Sequence, residues 1–118
     1  MTWLGKAAGD VAMQFYMGEY EVHKKQDGSL VTTADLEVNR FVLAQLKSRF
    51  PNEPVLSEET PDDLARLDFD TVWIVDPIDG TSAFARHSPE FGTLIGRCRA
   101  GVSYESVAGF PAVGLMLY

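Results

Sequence analysis

One segment, Val72-Trp73-Ile74-Val75-Asp76-Pro77-Ile78-Asp79-Gly80-Thr81, constrains this chain more than any other. Four apolar residues with strong strand preference run directly into two carboxylates separated by Pro77 and Ile78. Pro77 fixes its own φ and removes a backbone donor, and Gly80 permits a tight bend and close approach to the backbone. The strand must therefore surface at a stiff turn. Two like charges at the mouth of a core repel each other, so they either stay solvated on an exposed turn or meet something that neutralises them.

The rest of the chain reads as helices and strands around that segment. Leu4, Ala7, Ala8, Val11, Ala12 and Phe15 recur at three- and four-residue steps, which predicts a helix over residues 3–18 with Gly18 as its stop. Residues 20–25 are a short candidate strand, and Gln26-Asp27-Gly28-Ser29 is a turn signal. Thr32-Thr33-Ala34-Asp35 is an N-cap pattern opening a second helix, which runs to about Arg49 with Val38, Phe41, Val42, Leu46 and Phe50 on one face. Val55 and Leu56 form a short strand leading into Ser57-Glu58-Glu59. Residues 60–70 read as an acidic surface loop with one helical turn near Asp62–Leu67. Val72–Val75 reads as a buried strand, and Phe91–Arg99 and Ala112–Tyr118 as further strands. Gly101–Pro111 is an extra hairpin or loop holding a strand at Val102–Ser106. The order predicts an α+β fold, with helices packed on a mainly antiparallel sheet.

With 118 residues the chain suits one domain rather than two. Its net charge of −7, with no basic stripe, argues against a nucleic-acid polymer as partner. A phosphorylated small molecule stays open where divalent cations intervene. No apolar run approaches the ~20 residues of a membrane span. The single cysteine, Cys98, cannot form an internal disulfide; it reads as a core thiol in a reducing, cytoplasmic setting. His23 and His87 lack partner spacing and read as surface or rim residues. The chain ends on Gly114-Leu115-Met116-Leu117-Tyr118, an apolar run that suggests the first part of a larger protein and an edge open to a homodimer.

Three acidic clusters carry the chemistry. Asp76 and Asp79, beside Gly80 and Thr81, offer hard oxygen ligands next to backbone N–H groups, an arrangement suited to a hydrated cation bridged to phosphate. Magnesium fits best, because it combines a few carboxylates with waters and substrate oxygens. Glu58 and Glu59 also follow a strand, and Asp35 sits in a helix cap. Taken singly, the three read as a turn, a solvated loop and an ordinary cap. An EF-hand calcium loop does not fit, since the alternating oxygen ligands and closing Glu are missing.

Together, Asp76-Pro77-Ile78-Asp79-Gly80-Thr81-Ser82-Ala83-Phe84, Ser57-Glu58-Glu59 and Val31-Thr32-Thr33-Ala34-Asp35 resemble the motifs of the inositol monophosphatase family. This family of magnesium-dependent, lithium-sensitive phosphatases includes bisphosphate nucleotidases and histidinol-phosphatase-like enzymes. The resemblance implies the first half of a layered α/β sugar-phosphatase-type fold, with residues 1–118 as an N-terminal metal-binding domain. It also implies two or three magnesium ions and a small phosphate monoester as substrate: an inositol phosphate, a 3′(2′),5′-bisphosphate nucleotide or histidinol phosphate. Glu58, Asp76 and the carbonyl of Ile78 would hold one ion, and Asp76 would bridge to a second that Asp79 also binds. Glu58 and the Thr81 hydroxyl would orient the attacking water, with Asp35 fixing that hydroxyl. Asp79, Gly80 and Thr81 would meet the substrate, the N–H groups of Gly80 and Thr81 holding phosphate oxygens. Glu59 would stand behind these residues. Lys24 or Lys25 precedes a turn that resembles the family's mobile metal-site loop. Ser57-Glu58-Glu59 resembles the nucleotidase subgroup, whereas Phe91-Gly92-Thr93-Leu94-Ile95 is closer to the histidinol-phosphatase-like one. A further Asp that the family draws from a later W-D-x-x-A segment is not among these residues. The alternative to an enzyme is a truncated, non-catalytic domain that binds metal or a partner.

Overall fold

The computed structural model describes residues 1–118 as two layers, helices on one face of a sheet. Helix α1 spans Thr2–Tyr16 and α2 spans Thr33–Arg49. Between them, strands β1 (Val22–Lys24) and β2 (Leu30–Thr32) form a separate antiparallel hairpin. The main sheet has the order β3-β4-β5-β6-β7, with β3 at Val55–Ser57, β4 at Thr71–Asp79, β5 at Gly92–Arg99, β6 at Val102–Phe110 and β7 at Leu115–Leu117. A short helix, α3 (Thr81–Ala85), follows β4 directly. The α+β expectation holds. No helix is long and apolar enough to cross a membrane.

Leu4, Ala8 and Ala12 of α1 and Ala34, Val38, Val42 and Leu46 of α2 bury their side chains against Trp73, Val75, Ile95 and Val107 of the sheet. Small residues set the helix–sheet distance. A β-carbon on Gly5 would lie 2.7 Å from Val107 Cγ2, so α1 crosses β6 at van der Waals contact only because that position is glycine. At the far end of the sheet, Glu53 accepts from Trp73 Nε1 at 2.7 Å and from Arg97 Nε at 2.9 Å, pinning the chain ahead of β3 onto β4 and β5.

Several elements differ from expectation. The strand predicted at Val72–Val75 extends through Asp79 and is not buried throughout. Trp73 and Val75 face the helices, while Ile74 is 45% exposed on the opposite face, because side chains alternate and helices cover one face only. Cys98 lies half-buried on β5 rather than in the core, because regular alternation along β5 puts it on the face of Gly96 and Ile74, which the helices do not cover. Gly101–Pro111 is neither an irregular loop nor a short strand. It contains nine-residue β6, hairpinned to β5 through Ala100 and Gly101, which both have positive φ. The last strand shrinks to Leu115–Leu117 because Pro111–Val113 form a 3-10 turn. The helical turn of the acidic loop lies at Ala65–Asp68.

Gly5→Ala gains about 1 kcal/mol of helix propensity and pays an overpacking cost of about 1–3 kcal/mol against the stiff Val107 side chain. A net destabilisation is therefore expected in chemical denaturation. Val107→Ala in the same chain should relieve part of it, so the two effects should not add. A stability gain from Gly5→Ala alone would contradict the close packing.

Candidate active site

The only parallel pair in the sheet builds the site. Val55, Leu56 and Ser57 of β3 stand opposite Trp73, Ile74 and Val75 of β4, and Glu58 N–H extends the ladder to Val75 O at 3.2 Å. Both strands thus run toward the same edge, and Glu58 and Asp76 emerge side by side. An antiparallel pair in that place would have put the two carboxylates at opposite ends.

Beyond Asp76 the pairing with β5 loses register, resuming at Asp79 opposite Gly92. Pro77 has no N–H to give, and its carbonyl accepts from the buried Thr93 hydroxyl at 2.8 Å. This irregularity presents Asp76, the Ile78 carbonyl and Asp79 around one small pocket. Its lining includes Glu58, Asp76, Ile78, Asp79, Gly80 and Thr81, with Gly28 and Ser29 opposite. Gly80 adopts φ 82°, and a β-carbon there would come within 2.7 Å of Glu90 O, so both conformation and space require glycine. Tyr16 and Tyr20 hold the α3 turn from the side, donating to His87 O at 3.0 Å and Phe84 O at 2.9 Å. His87 stacks on the Tyr16 ring, and His23 pairs with Glu21 on the exposed hairpin, so neither histidine enters the pocket.

Asp35 lies beneath the pocket, fully buried in the first turn of α2. Its Oδ2 accepts from Thr32 N–H at 2.8 Å and from the Thr32 hydroxyl at 2.6 Å, completing a capping box. Its Oδ1 accepts from the Thr81 hydroxyl at 2.8 Å. The same hydroxyl lies 3.0 Å from Ile78 O, but one proton serves one strong bond, and the carboxylate is the stronger acceptor. With its proton held there, the Thr81 oxygen keeps lone pairs to accept from a water. One helical turn on, Asn39 accepts from Ser57 Oγ at 2.6 Å and donates to Thr60 Oγ1 at 3.0 Å, bracketing Glu58 and Glu59. Asn39 belongs to none of the three acidic motifs. Its signal is a polar residue four positions after Asp35, beside the apolar Val38 and Val42.

The charge balance of the pocket is incomplete. Asp76 Oδ1 is buried and has no hydrogen-bond partner. Burial, then the neighbouring Glu58, Asp79 and Asp35 carboxylates, push the Asp76 pKa up to about 7. A buried carboxylate oxygen without a donor calls for a cation. No three His, Cys, Asp or Glu side chains by themselves form a ligand set for one ion. Magnesium suits such a partial set, since it completes its shell with carbonyl oxygen, water and substrate. Behind the pocket Lys25, not Lys24, reaches inward, with Nζ 2.9 Å from Glu59 Oε2. Burial is the largest single influence on Lys25 and lowers its pKa, but the Glu59 hydrogen bond and the Glu59, Glu58 and Asp35 charges together outweigh it and the lysine pKa is raised. On Glu59, burial raises the pKa against the pull of Lys25.

A helix-backed sheet thus delivers clustered carboxylates and a glycine turn to one edge. The chain belongs to the inositol monophosphatase family, whose model matches residues 2–118. It is 37% identical over 118 residues to the 3′(2′),5′-bisphosphate nucleotidase CysQ of Salmonella typhimurium, covering 98% of this chain and 48% of that protein. Among solved structures, the Thermotoga maritima IMPase superposes with a TM-score of 0.86 at 29% identity, over 97% of this chain and 44% of that one. An IMPase/NADP phosphatase solved with Mg2+ and phosphate gives a TM-score of 0.80 at 26% identity, over 93% and 42%. The chain thus spans about half the length of the relatives it matches.

The Asp76 shift has a consequence for stability. Its folded pKa of about 7 lies above the ordinary 3.8, so between those values the metal-free folded protein keeps a proton that the unfolded chain releases. The contribution is fully present below the lower value and is lost as pH rises through about 7. Thermal melts of metal-free wild type and Asp76→Asn should therefore diverge as pH rises through this window, with wild type losing ground. Magnesium should restore the wild type at pH 8 but not the variant. A difference independent of pH would contradict the clustered-carboxylate account.

Proposed function

We propose that the full-length protein hydrolyses a small phosphate monoester with magnesium and an activated water, and that residues 1–118 form its N-terminal metal-binding domain. The observation that carries this reading is the unpartnered, buried Asp76 Oδ1 in a pocket shared with Glu58 and Asp79. Glu58, Asp76 and the Ile78 carbonyl would hold one ion, and Asp76 and Asp79 a second. Magnesium bound there supplies the charge that makes water nucleophilic near neutral pH and stabilises the leaving oxygen.

The chain's own groups do the positioning. The Thr81 oxygen, its proton held by Asp35, accepts from the attacking water, and Glu58 holds the water from the other side. Asp79, Gly80 and Thr81 line the side where the phosphate enters, and the first N–H groups of α3 have no acceptor within the helix. The new P–O bond forms from water, which releases one proton to solvent, as the ester P–O bond breaks and the leaving oxygen takes one up. The similarity to CysQ and the Ser57-Glu58-Glu59 segment favour a bisphosphate nucleotide over an inositol phosphate or histidinol phosphate.

Phosphate release by the full-length protein tests this reading. A 3′(2′),5′-bisphosphate nucleotide should be hydrolysed with higher kcat/KM than inositol phosphate, and activity should vanish with chelator. Asp76→Asn should lose ~10²-fold or more in kcat even at saturating magnesium. Near wild-type turnover in that variant would refute the metal assignment.

Thr81→Val separates positioning from metal binding, since it keeps shape and removes only the hydroxyl. It should lower kcat ~10²-fold at temperatures where both proteins are folded, with calorimetric magnesium affinity near wild type and stability reduced only by the ~1–3 kcal/mol of leaving buried Asp35 Oδ1 without its donor. Full turnover, or a defect explained by lost stability, would contradict the water-orienting role.

A further inference from the structure

The β1–β2 hairpin stands apart from the main sheet, and β1 is exposed along its whole length. Its tip is nevertheless well ordered internally. Lys25 N–H donates to Ser29 O at 2.7 Å and Gly28 N–H to Lys25 O at 3.0 Å. Asp27 Oδ1 accepts from Ser29 N–H at 3.0 Å and from Ser29 Oγ at 2.6 Å. At its base the hairpin is tied to α2 by Thr33 N–H to Glu21 O at 3.1 Å and Glu21 N–H to Thr33 Oγ1 at 3.0 Å. The tip is thus a small rigid unit on a fixed base. Gly28, Ser29 and Leu30 on it form the wall of the acidic pocket facing Glu58, Asp76 and Asp79.

Near the tip, one side-chain contact ties this unit to the body of the protein. Lys25 Nζ bonds Glu59, at 3.0 Å to Oε1 and 2.9 Å to Oε2, across 34 residues of sequence. The Glu59 side chain is only 5% exposed. Its backbone is held on both sides, since Asn39 grips Ser57 and Thr60. Glu59 is therefore the fixed end of the pair and Lys25 the end that follows. A second effect acts with the first: Lys25 neutralises a carboxylate that would otherwise add to the negative field of the pocket.

We propose that Glu59 is a positioning residue that, through Lys25, sets how closely the Gly28–Leu30 wall stands over the acidic pocket, and so how tightly the pocket holds a phosphate ester. This rests on the reading of that pocket as a phosphate site. The pair touches neither the reacting atoms nor the groups assigned to the water. Its loss should weaken ground-state binding rather than slow the chemical step.

The test compares Glu59→Gln, Lys25→Met, the double variant and Lys25→Arg in the full-length protein, with two readouts. The first is hydrogen exchange of the Lys25–Leu30 amides in metal-free protein. Glu59→Gln and Lys25→Met should each speed it about tenfold, the scale of a lost hydrogen bond between charged partners, with exchange in α2 unchanged. The second is steady-state hydrolysis of a bisphosphate nucleotide. KM should rise about tenfold with kcat changed by less than about threefold, the double variant should be no worse than either single, and Lys25→Arg should behave like wild type.

Unchanged tip exchange in both single variants overturns the proposal. So does a fall in kcat at constant KM, which would place Glu59 at the reacting centre, or faster exchange throughout α2, which would make the pair a general structural tie. If Glu59→Gln does not fold, Lys25→Met on the exposed hairpin reads the same quantities. If wild type hydrolyses no phosphate ester, the phosphatase reading fails and the exchange arm still decides whether the pair holds the hairpin.

Discussion

Like-charge repulsion at the end of one parallel strand pair is the constraint on which the site depends. The β3–β4 register brings Glu58 and Asp76 to the same edge, the irregular end of β4 adds Asp79, and buried Asp35 lies below. The protein alone does not balance this charge, and Asp76 Oδ1 stays buried without a donor. A fold optimised only for stability would replace one of these acids or give it a partner. Retaining the cluster makes sense when a divalent cation completes it. The same repulsion then favours metal uptake, because every carboxylate gains when the ion enters.

Helix α2 acts as the ruler for this cluster. Asp35 and Asn39 sit one turn apart on its buried side. Asp35 reaches the Thr81 hydroxyl, and Asn39 grips the segment that carries Glu58 and Glu59. The two acidic segments are thus referred to one rigid element rather than to each other, which fixes their spacing even while their charges repel. The capping box at Thr32 makes this economical: the group that starts the helix, Asp35, is also the group that holds the Thr81 proton.

The parts legible in the sequence are those whose physics is local. The α2 cap, the bend at Gly80 and the two helices follow from spacing within a few residues, whereas the strand runs on through Asp79 where Pro77 predicts a turn. Glu58 and Asp76 were legible as neighbours only because each follows an apolar run, and the parallel pairing that joins them is a long-range fact that no local pattern encodes. Strand β6 continues past the predicted Val102–Ser106 to Phe110, because Val107, Ala108 and Gly109 keep pairing with Ile95, Leu94 and Thr93, a long-range partner that the local Gly109-Phe110-Pro111 turn signal hides. Ile74 is exposed although its apolar run predicts burial, because composition does not reveal which face a helix layer covers. Lys24 and Lys25 were indistinguishable by type, and only the hairpin register turns Lys25 inward toward Glu59.

The most direct measurement of the central claim is anomalous diffraction from crystals of the full-length protein soaked in Mn2+, a scattering stand-in for magnesium with the same preference for oxygen ligands. The account predicts anomalous density in the pocket between Glu58, Asp76, the Ile78 carbonyl and Asp79, with Asp76 Oδ1 among the ligating atoms. An empty pocket at saturating Mn2+, or ions found only elsewhere on the acidic surface, would contradict it.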